Sequence, residues 1–230
     1  MENKKDLIIE QNKKLHKDKI TALKSKNCFD FDDFVSIVEI LRDCCPWDME
    51  QTHSSIRKNL IEEAYEVVEG IDKNDPAIMQ EELGDLMLQV IFHAVMGKEE
   101  GQYHIGSIMT DVCIKLIRRH PHIFSDVDAK TTDKVLENWE NIKKIEKSNK
   151  TLSDELDSIS SSLPALMRSE KVCKKIRKRT GECFSDKTLS KEEAGKMLFE
   201  LVSACEASGI DAEEALYEYT ERKIKEYEDK

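Results

Sequence analysis

The sequence predicts an all-α fold, and three observations carry that expectation. Glycine and proline are scarce, eight and four in 230 residues, which leaves few turns and favours long helices over a many-stranded sheet. Apolar residues recur at steps of three and four along most of the chain. No segment shows strand alternation of note, and no short-period repeat is present. At this length the chain suits one or two domains with a real core.

Residues 1–27 are Lys-rich and weakly patterned, and read as an arm or a short helix. From Phe31, the series Phe34, Ile37, Val38 and Leu41 predicts an amphipathic helix ending near Asp43. The connector CCPWDMEQTH follows, with Pro46 as the stop and Asp48 or Thr52 as the next cap. Trp47 within it is either a core anchor or a flat platform for a base. A second helix runs to about Gly70, with Ile56, Leu60, Ala64, Val67, Val68 and Ile71 as its apolar stripe. After the turn KNDP, a third helix covers about Ala77 to Lys98 and is apolar nearly all round, the mark of a central, buried helix. Ile105 to Arg119 predicts a fourth helix, broken at Pro121 in HPHIF. Thr132 to Lys150 predicts a fifth, with Leu136, Trp139 and Ile142 inward. TLSDELDSISSS reads as a polar linker. Three further helices follow: Leu163–Arg179, Ser190–Ser208 with a capping box of Ser190 and Glu193, and Asp211–Lys230 with Asp211 and Glu214.

The chemistry-bearing stretch is EEAYE (Glu62–Glu66), then fifteen residues, then ELGD (Glu82–Asp85). Glu63 and Glu66 are three apart on one helix face, and Glu82 and Asp85 are three apart on the next, with Gln89 and His93 continuing along that side. A solvated acidic face is the ordinary reading for helix Glu. Such faces usually set Lys four residues after Glu, whereas here Glu62 is followed by Glu66 and Glu81 by Asp85, both like-charge pairs. No Lys or Arg occurs from Ile61 to Asp72 or from Asp75 to Gly97. Acids gathered without local compensation call for a cation. All-carboxylate donors favour Mg²⁺, with Mn²⁺ as the other candidate, over zinc.

The net charge of −11 argues against a general nucleic-acid binder, so an anionic ligand needs metal or a local basic patch. Lys115, Arg118, Arg119, Lys143 and Lys147 offer such a patch for a polyphosphate, with ordinary surface charge as the other reading. His120 and His122 are weaker candidates, for phosphate contact or capping rather than metal. Seven Cys without a CxxC pair read as reduced thiols of a cytosolic protein, not a disulfide framework. The N-terminus shows no apolar run long enough for a signal peptide or membrane span.

Five motifs in order, CPWDMEQTH, EEAYE, EELGDLMLQVIFHA, KLIRRHPHIF and WENIKKIEK, make residues 30–150 resemble the MazG family of nucleoside triphosphate pyrophosphohydrolases. The resemblance implies an all-α bundle of the four-helix type. It implies hydrolysis of a nucleoside triphosphate to monophosphate plus pyrophosphate with Mg²⁺, a housecleaning role in the nucleotide pool, and assembly as dimers or higher. It places metal on Glu63, Glu66, Glu82 and Asp85, with Glu62 orienting water or supporting a ligand.

Relatives often carry a second copy after a linker containing SLPALMR, here Ser162–Arg168. The second copy here is short. It lacks EExxE and reads EEAGKMLF where ELGD would stand, with Lys196 in place of Asp. The expected organisation is an arm (1–27), a catalytic domain (28–150), a linker (151–162) and a degenerate second helical region (163–230). A helical regulator that binds nucleotide or a partner without turnover is the rival reading. The intact carboxylate quartet is the feature that a scaffold would not need.

Overall fold

The computed structural model describes residues 2–125, 131–147 and 151–227, and every regular element among them is a helix. They divide into two compact units, residues 1–118 and 119–230. The sequence-based catalytic domain, 28–150, straddles that division.

In the N-terminal unit the expected arm is two helices, α1 (Glu2–Leu15) and α2 (Lys17–Lys24). Helix α1 is part of the unit. Ile9 is buried, Asn12 Nδ2 donates to the Asp43 carbonyl at 2.7 Å, and His16 Nε2 lies 2.7 Å from the Asp43 carboxylate. Its pattern was weak because few apolar side chains suffice where polar groups do the tethering. Helix α3 (Phe31–Cys44) opens on a capping box of Asp30 and Asp33. Its Val38, Phe34 and Val35 pack with Ile56 and with Ile91, Phe92, Val95 and Met96 to form the core of this unit.

Helices α4 (Arg57–Lys73) and α5 (Pro76–Glu99) make the most extensive helix pair among the described residues. Asn74 adopts the left-handed conformation that ends α4, at φ 50°. Asp75 then caps α5, accepting from the Ala77 and Ile78 amides at 2.9 and 3.3 Å, with Pro76 in the first turn. Just before this turn the backbones nearly touch. A Cβ at buried Gly70 would lie 2.9 Å from Met79 Cγ and 3.1 Å from the Met79 backbone nitrogen. The expected caps Asp48 and Thr52 do not start α4. Asp48 opens a 3₁₀ turn, Asp48–Glu50, and Thr52 closes a small turn by accepting from the Ser55 amide at 3.1 Å. Helix α5 departs from the expected uniform burial. Its second half, from Ile91 to Gly97, is almost wholly buried, while Leu83, Met87 and Val90 stay more than 40% exposed. Helix α6 (Ile105–Arg119) has the expected bounds but buries no residue.

The C-terminal unit contains α7 (Pro121–Phe124), α8 (Thr132–Lys147), α9 (Leu152–Asp157), α10 (Ala165–Thr180), α11 (Lys191–Ala207) and α12 (Ala212–Lys225). The expected linker holds α9, whose Leu156 joins Ile159, Val172, Ile176, Ile224 and Tyr227 in a second core. Arg168 is buried inside it, donating to the Ile159 and Ser160 carbonyls at 2.6 and 2.9 Å and pairing with Glu221 at 2.5 Å. The caps Ser190 and Asp211 are both made. Helix α11 buries nothing and exposes Met197, Leu198, Phe199, Leu201 and Val202.

Replacing Gly70 with Val tests how closely α4 and α5 must approach. The overpacked hairpin should lose about 1–3 kcal/mol of stability, read by urea denaturation followed by circular dichroism. An unchanged midpoint would show that the pair can spread freely.

Candidate active site

The α4–α5 hairpin brings its acids together on one side. Glu63 and Glu66 of α4 and Glu82 of α5 are half-buried, and each places one carboxylate oxygen within 4.8 Å of the other two. Asp85, one turn along α5, is exposed and lies outside that group of three, yet its negative charge acts on both Glu63 and Glu82. The expected quartet is therefore a tight trio with Asp85 beside it. Glu62 is exposed on the adjoining face of α4.

The electrostatics follow from this crowding. Burial, then a hydrogen bond with Glu66, then the charges of Asp85, Glu66 and Glu82 raise the Glu63 carboxyl above its ordinary value. Burial, then Glu66, Glu81, Asp85 and Glu69 raise Glu82. Lys73, the basic residue that ends α4, pairs with Glu69 and not with the trio. Clustered hard oxygen donors at this separation suit a divalent cation of the magnesium kind. The fit rests on the donors themselves and on the absence of any basic residue between Ile61 and Asp72.

The connector ahead of α4 is held by a residue that the sequence pattern did not single out. Arg42 donates to the Asp48 and Gln51 carbonyls, the latter at 2.9 Å, pairs with Glu99 at 2.6 Å and lies over the Phe92 ring at 5.6 Å. Its only sequence signal was a cation at the end of an amphipathic helix. Asp48 is buried beneath this clamp, while Trp47 remains 59% exposed, so it is not a core anchor. Further along the acidic side of α5, Gln89 is buried and His93 stacks on His53 with ring centroids 4.9 Å apart and Nδ1 atoms 2.6 Å apart. One of those nitrogens must donate and the other accept. Burial first, then the His53 charge, lowers the pKa of His93.

The expected basic patch is distributed over both units. Lys115 and Arg118 belong to the N-terminal unit, on exposed α6. Arg119 is committed to Glu146 at 2.5 Å and stands over the Trp139 ring at 5.1 Å. Lys143 lies 4.9 Å from the centroid of the same ring. The Lys147 side chain falls outside the described residues. Lys196 Nζ lies 3.8 Å from the Glu200 carboxylate. His120 and His122 have ring centroids 5.7 Å apart.

A helical hairpin that gathers three carboxylates within reach of one cation makes this an all-α protein with a candidate metal site. The model of the MazG nucleotide pyrophosphohydrolase domain matches residues 51–124 of this chain, a span that includes EEAYE, ELGD and RRHPHIF. The nucleoside triphosphate pyrophosphohydrolase of Escherichia coli (strain K12) is 36% identical over 218 residues, covering 83% of each chain. The uncharacterized protein YabN of Bacillus subtilis (strain 168) is 46% identical over 147 residues, 63% of this chain, but this chain spans only 30% of YabN. The solved structure of a mazG-related protein from Thermotoga maritima is 26% identical, with a TM-score of 0.44 over 49% of this chain and 98% of that one. The chain belongs to the MazG nucleoside triphosphate pyrophosphohydrolase family.

The raised carboxyls set a pH dependence for the metal-free chain. An acid whose folded pKa is raised contributes stability that is fully present below its ordinary value, 4.5 for Glu63 and Glu82, and lost as pH rises through the raised one. Glu63→Gln should therefore raise the metal-free melting temperature at pH 7 by on the order of 1 °C, and the gain should shrink toward pH 4. Differential scanning calorimetry in EDTA reads both. A gain that does not change with pH would show that the trio is not repulsive.

Proposed function

We infer that this chain hydrolyses nucleoside triphosphates to the monophosphate and pyrophosphate at the α4–α5 carboxylates. The observation that carries the site is the trio of half-buried carboxylate oxygens within 4.8 Å, on a stretch of chain without a basic residue. Glu63, Glu66, Glu82 and Asp85 would hold a divalent cation, Mg²⁺ before Mn²⁺. When bound, such a cation offsets charge on the phosphates and lowers the pKa of water in the site.

The chain's own groups supply the rest. Glu62 stands next to the trio without belonging to it, so its carboxylate can accept the proton of a water aligned on the α-phosphorus. That oxygen stays on the monophosphate while the bond to the bridging oxygen breaks. Lys115 and Arg118, in the same unit as the carboxylates, are suited to the charge of the departing pyrophosphate. Trp47 offers its exposed ring to a base.

Turnover in ¹⁸O-labelled water should place the label in the monophosphate. Label in the pyrophosphate would mean attack at the β-phosphorus, and phosphate as the first product would remove the chain from this reaction. Glu63→Gln and Asp85→Asn should each lower pyrophosphate release by roughly a hundredfold or more while the helical signal persists.

The exposed apolar residues of the hairpin and α6 support assembly. Val68, Leu83, Met87 and Val90, with Met109, Val112 and Leu116 on α6, leave much of the expected stripes uncovered in one chain. We assign these exposed residues to contact with a second copy of the chain. Light scattering should give twice the chain mass, and Val68→Asp with Leu83→Asp should shift it toward the monomer. A monomeric native chain would end the assignment. No helix among the described residues is long and apolar enough to cross a membrane.

A further inference from the structure

We propose that His53 and His93 form a proton-bridged latch, which holds the turn ahead of α4 against α5 and opens when both imidazoles are charged. The latch is the contact between the two Nδ1 atoms, 2.6 Å apart with the rings within 3° of parallel. One N–H must lie between them, because two bare nitrogens repel and two N–H groups cannot approach so closely. Among the described residues this is the only hydrogen bond between residues 51–56 and α5.

The protons can be counted. In the neutral pair one ring donates through Nδ1, and the other, protonated at Nε2, accepts. A first added proton goes to the bare Nε2 of the donating ring and leaves the Nδ1–H···Nδ1 bond intact. A second must go to the accepting Nδ1, which removes the acceptor and sets two like charges against each other. Both Nε2 atoms are shielded from solvent and find no hydrogen-bond partner among the described residues. Burial already works against charge on His93. Of the charged groups on the elements packed around the pair, Arg42 and Glu39 of α3 are held by Glu99 and Lys98 of α5, and Glu50 of the connector by Lys5. Arg57 and Lys58, which open α4, add only positive charge, and Asp48 is buried under Arg42. Beyond α5, the Tyr103 ring centroid lies 6.3 Å from that of His53, and His104 accepts from the Ser107 amide at 3.4 Å. Glu100 is the one carboxylate shown against the pair, 3.9 Å from His53 Nε2, so it offsets one charge and not two.

The turn that the latch holds is tied within itself. The Thr52 amide donates to Ser55 Oγ at 2.9 Å, and the Ser55 amide donates to Thr52 Oγ1 at 3.1 Å. Ser55 Oγ donates to Gln51 Oε1 at 2.7 Å, and Gln51 Nε2 to the Trp47 carbonyl at 2.9 Å. Ile56, the last residue before α4, packs in the core with Ile91 and Phe92. Loss of the histidine bond therefore leaves the packing of Ile56 to hold this turn on α5. The inference is independent of the assignment of Glu63, Glu66, Glu82 and Asp85.

Imidazole and amide NMR of the full chain in EDTA, titrated from about pH 8 to about pH 5, reads both the protons and the turn. The two rings should titrate in two coupled steps, the second below the ordinary histidine value of 6.5. With that second step, exchange of the Ser55 and Ile56 amides, corrected for intrinsic rate, should accelerate roughly tenfold or more while the helical circular dichroism persists. His53→Asn keeps an acceptor for a permanent His93 Nδ1–H and takes up no proton. In that variant His93 should titrate alone and the acid acceleration should vanish. Glu63 and Glu82 titrate in both chains and so drop out of the comparison. Independent titration of the two histidines at the ordinary value would overturn the proposal, as would exchange at Ser55 and Ile56 that ignores the second step. The same acid acceleration in His53→Asn would also overturn it. If the variant loses its helical signal, the two-step titration and exchange of the unaltered chain decide by themselves.

Discussion

The structure depends on holding negative charges together against their own repulsion. Glu63, Glu66 and Glu82 stand within 4.8 Å of one another, and no basic side chain of their own hairpin offsets them. Packing supplies what electrostatics withholds. The Asn74–Asp75 turn and the close approach at Gly70 fix the spacing of α4 and α5. The buried second half of α5 then anchors the pair to α3. The cost of crowding is small per pair in water and grows with burial. Half-burial is therefore a workable compromise between a preformed cluster and a stable fold.

Where local chemistry decides the structure, the sequence was easy to read. The fourth helix begins and ends at Ile105 and Arg119 as its pattern predicts, and the caps at Ser190 and Asp211 are made because each needs only a side chain and an amide three residues on. The pairing of EExxE with ELGD was legible because both faces lie on helices that a short turn must make antiparallel. What spacing could not show was distance across helices. Asp85 falls outside the trio although it follows Glu82 by the same three residues that separate Glu66 from Glu63. The same limit concealed Arg42, whose partners come from the connector and from α5, and the stacking of His53 on His93, residues 40 positions apart.

The C-terminal unit is organised around a core of its own. Helix α11 presents Phe199 and Leu201 to its surroundings without a buried residue of its own. Stability there comes from a different centre. Arg168, buried among α9, α10 and α12, satisfies two carbonyls and one carboxylate at once. A buried guanidinium with all its partners in place orders the chain around it, since removing any partner would leave a charge without compensation.

Helix α5 is rooted at one end only. From Ile91 to Gly97 it is enclosed, whereas the turns bearing Glu82 and Asp85 have open space on one flank, and a Cβ at Gly84 would meet nothing within 4 Å. Amide protons along this single helix should therefore exchange with solvent in a gradient, slowly near Val95 and faster near Leu83, because local opening is easiest where few apolar contacts must be broken. The acidic end can then rearrange by breathing locally while the core of the unit stays closed.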